Sequence, residues 1–226
     1  GVEWGVPSSL RVLTANIHQL RDDRSAVVAV LRGAAPDVVA IQEPPRGPLG
    51  RLRLRRLARD AGLRVAVGGG GARTTALLVR DGLEVLGARA VALPWTPGRT
   101  RRGIALADVA GVRVMSVHLS LHPAERALHL GRVLLLVGAT AGPCVVAGDL
   151  NERPGGPSWD RLLLHLRDAT AASGPTYPAH EPRSRIDAVL VAGLDADGAE
   201  VVPGEAARRA SDHLPVVVDV HLGRGR

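Results

Sequence analysis

The sequence predicts an α/β fold with many strands and mainly antiparallel pairing. Short apolar runs rich in Val, Leu and Ala recur along the chain, which is typical of buried strands. Four longer segments have helical patterns and separate some of these runs. The strand-like runs between residues 74 and 118 follow one another without a helix. They should therefore pair antiparallel and not form a doubly wound parallel sheet.

The elements are expected in a fixed order along the chain. Strands are predicted near residues 10–16, 38–42, 63–67, 74–80, 83–92, 103–109, 112–118, 143–148, 185–191 and 215–222. Helices are predicted near residues 24–32, 49–61, 123–139 and 158–167. Gly33 should end the first helix, and Pro36 blocks its continuation. Pro123 suits the first turn of the third helix, and Ser158 can cap the fourth.

Length and composition indicate one domain. A chain of 226 residues is within the single-domain range and can bury a large core. We therefore expect a single domain over residues 1–226, with its core at about 10–222. Phe is absent, so Val, Leu and Ala must fill that core. All basic residues are Arg, and a formal charge of +7 suits an anionic substrate without identifying one.

The sequence does not decide the cellular compartment of the protein. Cys144 is the single cysteine, so an intrachain disulfide is excluded, and its place inside a strand suggests a buried small hydrophobe. The longest apolar run, 133–141, is too short to span a membrane, so no transmembrane segment is expected. The chain begins at Gly1 and not Met, so the domain is either cytoplasmic or secreted or anchored through a removed N-terminal segment. We expect a monomer.

Six polar clusters, each adjoining an apolar run, are the most informative feature. They are Asn16, Gln42-Glu43, His118, Gly148-Asp149-Leu150-Asn151, Arg185-Ile186-Asp187 and Ser211-Asp212-His213. Strand ends are where folds gather groups from distant parts of the sequence into one site. The gathered set would hold three Asp, one Glu, two Asn and two His, which can bind a hard divalent cation and transfer a proton.

Local sequence gives several of these residues a chemical interpretation. Glu43 is followed by two prolines that force the chain out of its strand, so a fixed carboxylate there is a plausible cation ligand. Asp149 and Asn151 are two positions apart and face the same way in an extended chain, although an Asx turn would also explain them. A carboxylate such as Asp187 can fix the tautomer of an imidazole such as His213.

The order and the residue types of the six clusters resemble those of the endonuclease/exonuclease/phosphatase superfamily, the DNase I-like metal-dependent phosphoesterases. Each motif alone is weak evidence for the family, but the combination of Arg-Ile-Asp with a later Ser-Asp-His-Leu-Pro is much rarer. The resemblance covers about Leu10 to Val220. It implies a four-layer sandwich in which two packed mixed β-sheets, largely antiparallel, are flanked by helices. The active site would lie at one edge of the sandwich. One departure is Ala188, where the family often has Tyr.

The resemblance also implies a metal site. The matching Glu, here Glu43, binds Mg²⁺, with Asn16 alongside and Asp212 on the metal side. We expect Mg²⁺ as the cofactor, and Mn²⁺ as a substitute.

The same resemblance assigns the reacting groups. Asp149 would orient the attacking water, and Asn151 would contact phosphate. Asp187 would pair with His213, which acts as a base toward water or binds the phosphate. His118 would donate to a phosphate oxygen or assist the leaving group.

Arginines near the predicted site loops are candidate phosphate contacts, because guanidinium groups fork onto phosphate oxygens. They are Arg99, Arg101, Arg102, Arg208 and Arg209. The arginines of the helix near 49–61 are interpreted mostly as a solvated face. Trp95 either lines the substrate cleft or holds its Pro-rich loop against the body of the protein.

The function expected from these observations is a Mg²⁺-dependent phosphoesterase that hydrolyses phosphodiester bonds by attack of water. The partner would be a phosphate-ester substrate, with nucleic acid or a nucleotide derivative as first choice. One alternative is a phosphatase or phospholipase C-like enzyme acting on inositol or lipid phosphates. Another is a non-catalytic, Arg-rich binding module on the same fold, against which the complete polar set argues.

Overall fold

The structure is a computed structural model that describes residues 7–222. The outermost residues of the expected single domain, 1–6 and 223–226, lie outside the described residues. The strands are β1 (Ser9–Asn16), β2 (Val38–Gln42), β3 (Leu63–Gly68), β4 (Thr75–Arg80), β5 (Val85–Ala92), β6 (Gly103–Val109), β7 (Val112–His118), β8 (Cys144–Asp149), β9 (Arg167–Asp168), β10 (Asp187–Ala192), β11 (Asp195–Val201) and β12 (Val216–His221). The helices are α1 (Arg24–Ala34), α2 (Gly50–Asp60), α3 (Pro123–Gly138), α4 (Pro157–Leu163) and α5 (Glu205–Ala210), with short 3₁₀ turns at His18–Leu20 and Gly70–Ala72.

The strands form two six-stranded sheets. The first has the order β11-β12-β1-β2-β4-β3, and the second has the order β5-β6-β7-β8-β10-β9. Each sheet contains one parallel pair, β1 with β2 and β7 with β8, while the other pairs among the described strands are antiparallel. The sheets are therefore mixed and largely antiparallel, as expected. Strand β4 precedes β5 in sequence but pairs with β2 and β3 of the other sheet.

Three apolar clusters define four layers. Alternate residues of both sheets, such as Val12 and Val145, face each other between the sheets. Residues of the opposite faces pack outward: Leu13 joins α1, α2 and α5, and Met115 joins α3 and α4. Val, Leu and Ala supply most of the buried side chains, and Cys144 is one of them. The expected four-layer sandwich is confirmed.

Several local predictions were wrong in detail. Gly33 lies inside α1, and Ala35 takes the left-handed position after it because Pro36 disfavours a helical conformation at the residue before it. Helix α4 begins at Pro157, so Ser158 does not cap it. Instead, the Ser158 N–H donates to Glu152 Oε2 at 2.6 Å. Pro123 does occupy the first turn of α3.

Three short elements were not predicted, and they share an exposed or edge position. Strand β11 has the polar sequence DADGAEV and pairs only with β12. Strand β9 has two residues, and it replaces the end of the fourth helix that was predicted to reach residue 167. Helix α5 has six residues, fewer than a helical apolar pattern needs to be visible. Within residues 7–222, no helix is long and apolar enough to span a membrane.

The strand register brings the polar clusters to one edge of the sandwich. In the first sheet, Asn16 at the end of β1 is level with Gln42 at the end of β2. In the second sheet, Asp149 is level with His118 on one side and with Asp187 on the other. Because β1/β2 and β7/β8 are parallel pairs, their carboxyl ends meet at the same edge. The register alone thus aligns five of the six polar clusters in two rows.

Gln42 holds the two rows together. Its side chain is fully buried and donates to Ser116 Oγ of the second sheet at 3.2 Å. Ser116 Oγ in turn donates to the carbonyl of Ile41 at 2.8 Å, and Thr14 Oγ1 donates to Gln42 Oε1 at 3.2 Å. A buried polar network of this kind fixes how the sheets are packed directly beneath the site. Gln42 is therefore a structural link, whereas its neighbour Glu43 faces the cleft.

Candidate active site

A cleft of about 510 Å³ lies at this edge of the sandwich. Six of the eight residues predicted for catalysis and metal binding line it: Glu43, His118, Asp149, Asn151, Asp212 and His213. The other two, Asn16 and Asp187, lie directly behind it and contact lining residues. The structure thus brings together groups that span almost the whole chain.

His213 and Asp187 form a hydrogen-bonded pair. The distance between His213 Nδ1 and Asp187 Oδ2 is 2.9 Å, and both side chains are almost completely buried. Thr176 Oγ1 donates to the same carboxylate oxygen at 2.6 Å, and the ring of Tyr177 packs on the imidazole at 4.8 Å between centroids. The imidazole is therefore held on two sides, and its Nε2 lies 3.8 Å from Asp149 Oδ2.

Asp149 is the centre of the cluster. Its Oδ1 accepts from the backbone N–H of Asn151 at 2.9 Å, and its Oδ2 accepts from Asn16 Nδ2 at 3.2 Å. His118 Nε2 lies 3.5 Å from Oδ2 as well. The preceding residue must be glycine, because a Cβ at Gly148 would lie 1.9 Å from the carbonyl oxygen of Val117. The close approach of β7 and β8 at this point is what sets Asp149 beside His118.

Burial and neighbouring charges change the protonation of these groups. Burial, followed by repulsion from Asp187, raises the pKa of Asp149 to about 7. Burial opposes the charged form of His213, but the carboxylates of Asp187, Asp149 and Asp212 outweigh it and raise its pKa to about 9. Burial and the nearby Arg102 charge hold the pKa of His118 well below its usual value. At neutral pH, His213 therefore carries a proton and His118 is neutral.

Glu43 and Asn16 approach Asp149 from the first sheet. Asn16 Nδ2 donates to Glu43 Oε1 at 3.3 Å as well as to Asp149, so one amide lies between two carboxylates. The side-chain Oδ1 of Asn16 accepts from the backbone N–H of His18 at 3.1 Å. Glu43 has a left-handed backbone with φ of 50°, which turns it out of strand β2. The tight arrangement shows that these three side chains can act on one small ligand.

The donor set fits a hard divalent cation. Asp149, Asp187 and His213 each offer a ligand atom, and these atoms lie within 4.8 Å of one another. Asp187 Oδ1 is buried and has no hydrogen-bond partner among the described residues. This is expected of an oxygen atom that binds a metal ion. With Glu43 nearby, the cluster supplies carboxylate oxygen and no thiolate, which favours Mg²⁺ or Mn²⁺ over a zinc site of the cysteine type.

Asp212, predicted on the metal side, lies at the edge of the site. Asp149, Asp187 and His213, all predicted as catalytic, offer atoms within 4.8 Å of one another, and the two carboxylates among them could hold a cation. Asp212 lies at the cleft edge with 45% of its side chain exposed, and its Oδ1 is 4.0 Å from His18 Nδ1. His18 itself pairs with Asp22 at 2.8 Å. Asp212 is therefore outside the buried cluster.

The five predicted phosphate arginines separate into three groups. Arg102 lines the cleft, is only 9% exposed, and has a buried Nε without a partner among the described residues. Arg99 lines a smaller neighbouring cleft, and Arg101 lies 4.2 Å above the ring of Trp95. Arg208 and Arg209 lie on α5 and do not line the cleft of about 510 Å³. Of the five, Arg102 is thus placed best to meet a phosphate in this cleft.

Trp95 belongs to a loop that is fastened to α3. Trp95 Nε1 donates to the Arg99 carbonyl at 2.7 Å. The Thr96 N–H donates to Glu125 at 2.9 Å, and His129 Nε2 is 2.9 Å from the Pro94 carbonyl. Trp95 does not line the cleft of about 510 Å³, and its own hydrogen bond lies within the loop, which Thr96 and Pro94 hold against α3.

Sequence reasoning missed several residues of the cleft. Thr176 and Tyr177 orient the imidazole–carboxylate pair, and Glu152 and Arg153 line the cleft. Thr176 and Tyr177 lie in a loop whose backbone bonds to residues 212 and 214, through Ala179 N to Asp212 O at 2.7 Å and Leu214 N to Thr176 O at 2.8 Å. No motif marks that contact in the sequence. Glu152 and Arg153 directly follow the Gly-Asp-x-Asn cluster, and this was the only available signal.

Comparison with known proteins identifies the family of the chain. A model of the Endonuclease/Exonuclease/phosphatase family matches residues 13–213. "Uncharacterized protein YbhP" of Escherichia coli (strain K12) is 26% identical over 144 residues, which are 55% of this chain and 54% of that protein. The chain thus spans about half the length of the curated relatives it matches.

Solved structures show the same fold. The endonuclease/exonuclease/phosphatase from Beutenbergia cavernae DSM 12333 is 28% identical with a TM-score of 0.69, covering 96% of this chain and 72% of that chain. The endonuclease/exonuclease/phosphatase from Bacteroides vulgatus is 18% identical with a TM-score of 0.78, covering 96% of this chain and 100% of that chain. At such identity, the second comparison concerns the fold alone.

Proposed function

The chain belongs to the endonuclease/exonuclease/phosphatase family, and on that premise we propose that it hydrolyses a phosphodiester by direct attack of water with Mg²⁺ or Mn²⁺. Members of this family are typically hydrolases of phosphate esters. The observation that carries the proposal is the buried cluster in which Asp149 lies within 4 Å of Asn16, His118 and His213. A protein that only bound its ligand would not need to bury carboxylates beside an oriented imidazole, because burying charged groups is unfavourable.

The residues of the chain divide the reaction between them. Asp149 accepts a proton from the attacking water, since a pKa of about 7 allows it to gain and lose one near neutral pH. His213, protonated and held by Asp187, donates to a phosphoryl oxygen and offsets its developing charge. The unpaired Nε of Arg102 donates to another phosphoryl oxygen.

The remaining residues hold the phosphate and the metal. Asn151 donates one amide proton to the Leu119 carbonyl at 2.8 Å, which leaves a second for the substrate. Neutral His118 offers a further hydrogen bond to the phosphate. Glu43 and Asp187 would hold the cation, which would polarise the phosphoryl group.

A hydrolysis panel tests the proposal. Purified protein is incubated with Mg²⁺, Mn²⁺ or EDTA and with bis-p-nitrophenyl phosphate, p-nitrophenyl phosphate, oligothymidylate, sphingomyelin vesicles or inositol hexakisphosphate. We expect metal-dependent release of p-nitrophenol from the diester and cleavage of oligothymidylate. Turnover confined to p-nitrophenyl phosphate or inositol hexakisphosphate would replace the diesterase with a phosphatase, and turnover confined to sphingomyelin would replace it with a lipase. No turnover with either metal would leave a binding module.

A further inference from the structure

A second cleft of about 380 Å³ opens beside the catalytic cleft, and four arginines line it: Arg46, Arg51, Arg73 and Arg101. Among its described lining residues there is no Asp or Glu. We propose that this arginine cleft binds a second phosphate group of the substrate whose scissile phosphate lies beside Asp149 and His213. The inference rests on the proposed function, because it requires a phosphate ester in the catalytic cleft.

The charges of the arginine cleft are not neutralised within the described part of the protein. Arg46, Arg51, Arg73 and Arg101 take part in none of the salt bridges between described residues. Exposed arginines such as Arg53 and Arg55 also lack a salt bridge among the described residues, but these four converge on one cavity. Four guanidinium groups around one cavity repel each other, and a bound anion relieves that repulsion with charge-assisted hydrogen bonds. The cleft therefore has the chemistry of an anion site.

The backbone is shaped to present two of these arginines. Gly69 has φ of 73°, and a Cβ at this position would lie 2.5 Å from Arg51 Nε. Glycine suits the positive φ of this turn and leaves the guanidinium of Arg51 room to lie over it. Arg73 has φ of 51°, an unfavourable backbone conformation for a long side chain. Strain of this kind concentrates at ligand sites, where the surrounding structure maintains it.

The two clefts share the segments that separate them. Glu43 lines the catalytic cleft, and Arg46, three residues later, lines the arginine cleft. Three residues reach at most about 11 Å along the chain. Arg102 lines the first cleft and the adjacent Arg101 lines the second. One molecule carrying two phosphate groups can therefore occupy both clefts at once.

Arg101 is held in place for this role. Its guanidinium stacks on Trp95 at 4.2 Å, and the loop of Trp95 is bonded to α3 through Thr96 and Glu125. A cation fixed on an aromatic ring loses less side-chain freedom when it binds an anion. The loop thus explains why the tryptophan lies outside the catalytic cleft and still serves the substrate.

Two kinds of substrate could supply the second phosphate, and both would present the same phosphate group to the arginine cleft. It is either a backbone phosphate of a nucleic-acid strand next to the scissile bond or another phosphate of a polyphosphorylated small molecule. Thymidylyl-thymidine, with one phosphodiester, and its trimer, with two, represent the first source. Inositol hexakisphosphate, used as competitor and substrate, represents the second.

The test compares Arg51→Gln and Arg73→Gln with a matched control. Arg53→Gln removes the same charge from α2, but residue 53 is about 200° around the helix from residue 51 and does not line the cleft. We expect each cleft variant to raise KM for the trimer, and the inhibition constant of inositol hexakisphosphate as a competitor, roughly tenfold relative to the change in KM for thymidylyl-thymidine. The control should leave the ratio between these substrates unchanged. Equal KM changes for one-phosphate and two-phosphate substrates would overturn the subsite.

A binding measurement separates this inference from the proposed function. Anisotropy of fluorescein-labelled trithymidylate, and its competition by inositol hexakisphosphate, are recorded in EDTA, where no turnover is expected. Loss of one phosphate contact should weaken binding. It should also lower, by about 0.7, the magnitude of the slope of the logarithm of the association constant against the logarithm of the salt concentration. Binding that depends on Arg51 and Arg73 without hydrolysis of any substrate would support the subsite and refute the hydrolase. Binding of both ligands that is unaffected by either substitution would refute the subsite, whatever the enzyme hydrolyses.

Discussion

The two neighbouring clefts differ in how their side chains are held. In the catalytic cleft, Asp149, Asp187 and His213 are buried, Asp187 and His213 are hydrogen-bonded to each other, and Asp149 accepts from Asn16 of the first sheet. In the arginine cleft, Arg46, Arg51 and Arg73 are exposed and have no ion-pair partner among residues 7–222. Chemistry at phosphorus needs fixed, desolvated groups, whereas holding an anion needs mainly charge and space. Substitutions in the first cleft should therefore act on turnover, and those in the second on affinity.

The largest effect should come from the imidazole. We expect His213→Ala to lower kcat by roughly 10²–10⁴-fold, the usual range for a lost acid–base group. KM should change far less, because Arg102 and the arginine cleft remain. His165→Ala, at an exposed position after α4, is the matched control and should keep normal kinetics. Near-normal turnover of His213→Ala would remove the difference between the clefts and show that the imidazole takes no part in the reaction.

Asp187→Asn should give a partial form of the same defect. The amide leaves the imidazole present but no longer stabilises its proton, so kcat should fall by less than with His213→Ala. The double substitution should be little worse than His213→Ala alone, because the two side chains act as one unit. Steady-state kinetics of the four proteins measure this coupling. If the two losses multiply, the residues act independently.

Glu43→Gln should raise the metal concentration needed for activity. Replacing a carboxylate with an amide weakens a hard cation ligand, so half-maximal activity should require roughly tenfold more Mg²⁺. The same change should reduce the increase in melting temperature that Mg²⁺ gives the unsubstituted protein. Glu84→Gln, an exposed residue outside the cleft, is the control. An identical Mg²⁺ requirement and melting shift for Glu43→Gln would exclude Glu43 as a ligand.

Thr176→Val should have a moderate effect on turnover. The substitution removes the 2.6 Å hydrogen bond to Asp187 with little change in shape. One lost hydrogen bond to a charged group corresponds to roughly a tenfold effect, and we expect it in kcat and not in KM. Thr140→Val, at the end of α3, removes a hydroxyl that bonds only to the Leu136 carbonyl and serves as the control. An increase in KM alone would show that Thr176 contacts substrate instead.

The smallest effect should be that of a substitution in the arginine cleft on the stability of the protein. Arg51 is exposed and unpaired among the described residues, so Arg51→Gln should change the free energy of unfolding by less than about 0.5 kcal/mol. Removal of a repelling charge could make the protein slightly more stable. Urea unfolding measures the change. A clear loss of stability would show that Arg51 supports the fold, and the contrast between the clefts would then need revision.

The sequence predicted the interior of the fold better than its margins. Buried strands such as β2 and β8 are short continuous apolar runs, and their composition is sufficient to identify them. Strand β11 is exposed and polar, so only its pairing with β12 makes it a strand. Helix α5 is too short to show a period. Assignment of β4 and β5 to different sheets depends on tertiary packing that no local pattern contains.

The same division applies to the site. Asp149 and His213 stand in motifs that could be recognised, and the strand register then places them together. Thr176 contributes through a loop contact that has no sequence signal. The arginine cleft combines three separate segments, and the left-handed backbone of Arg73 is not visible before folding. Residues whose function depends on long-range packing were therefore missed.

The direct test of the central claim is the fate of oxygen from water. Bis-p-nitrophenyl phosphate is hydrolysed in ¹⁸O-labelled water with Mg²⁺, and both products are examined by mass spectrometry. Attack of water on phosphorus predicts one ¹⁸O atom in p-nitrophenyl phosphate and none in p-nitrophenol, and the rate should fall sharply with His213→Ala. Label in p-nitrophenol, or labelled phosphate formed by His213→Ala at the normal rate, would contradict the account.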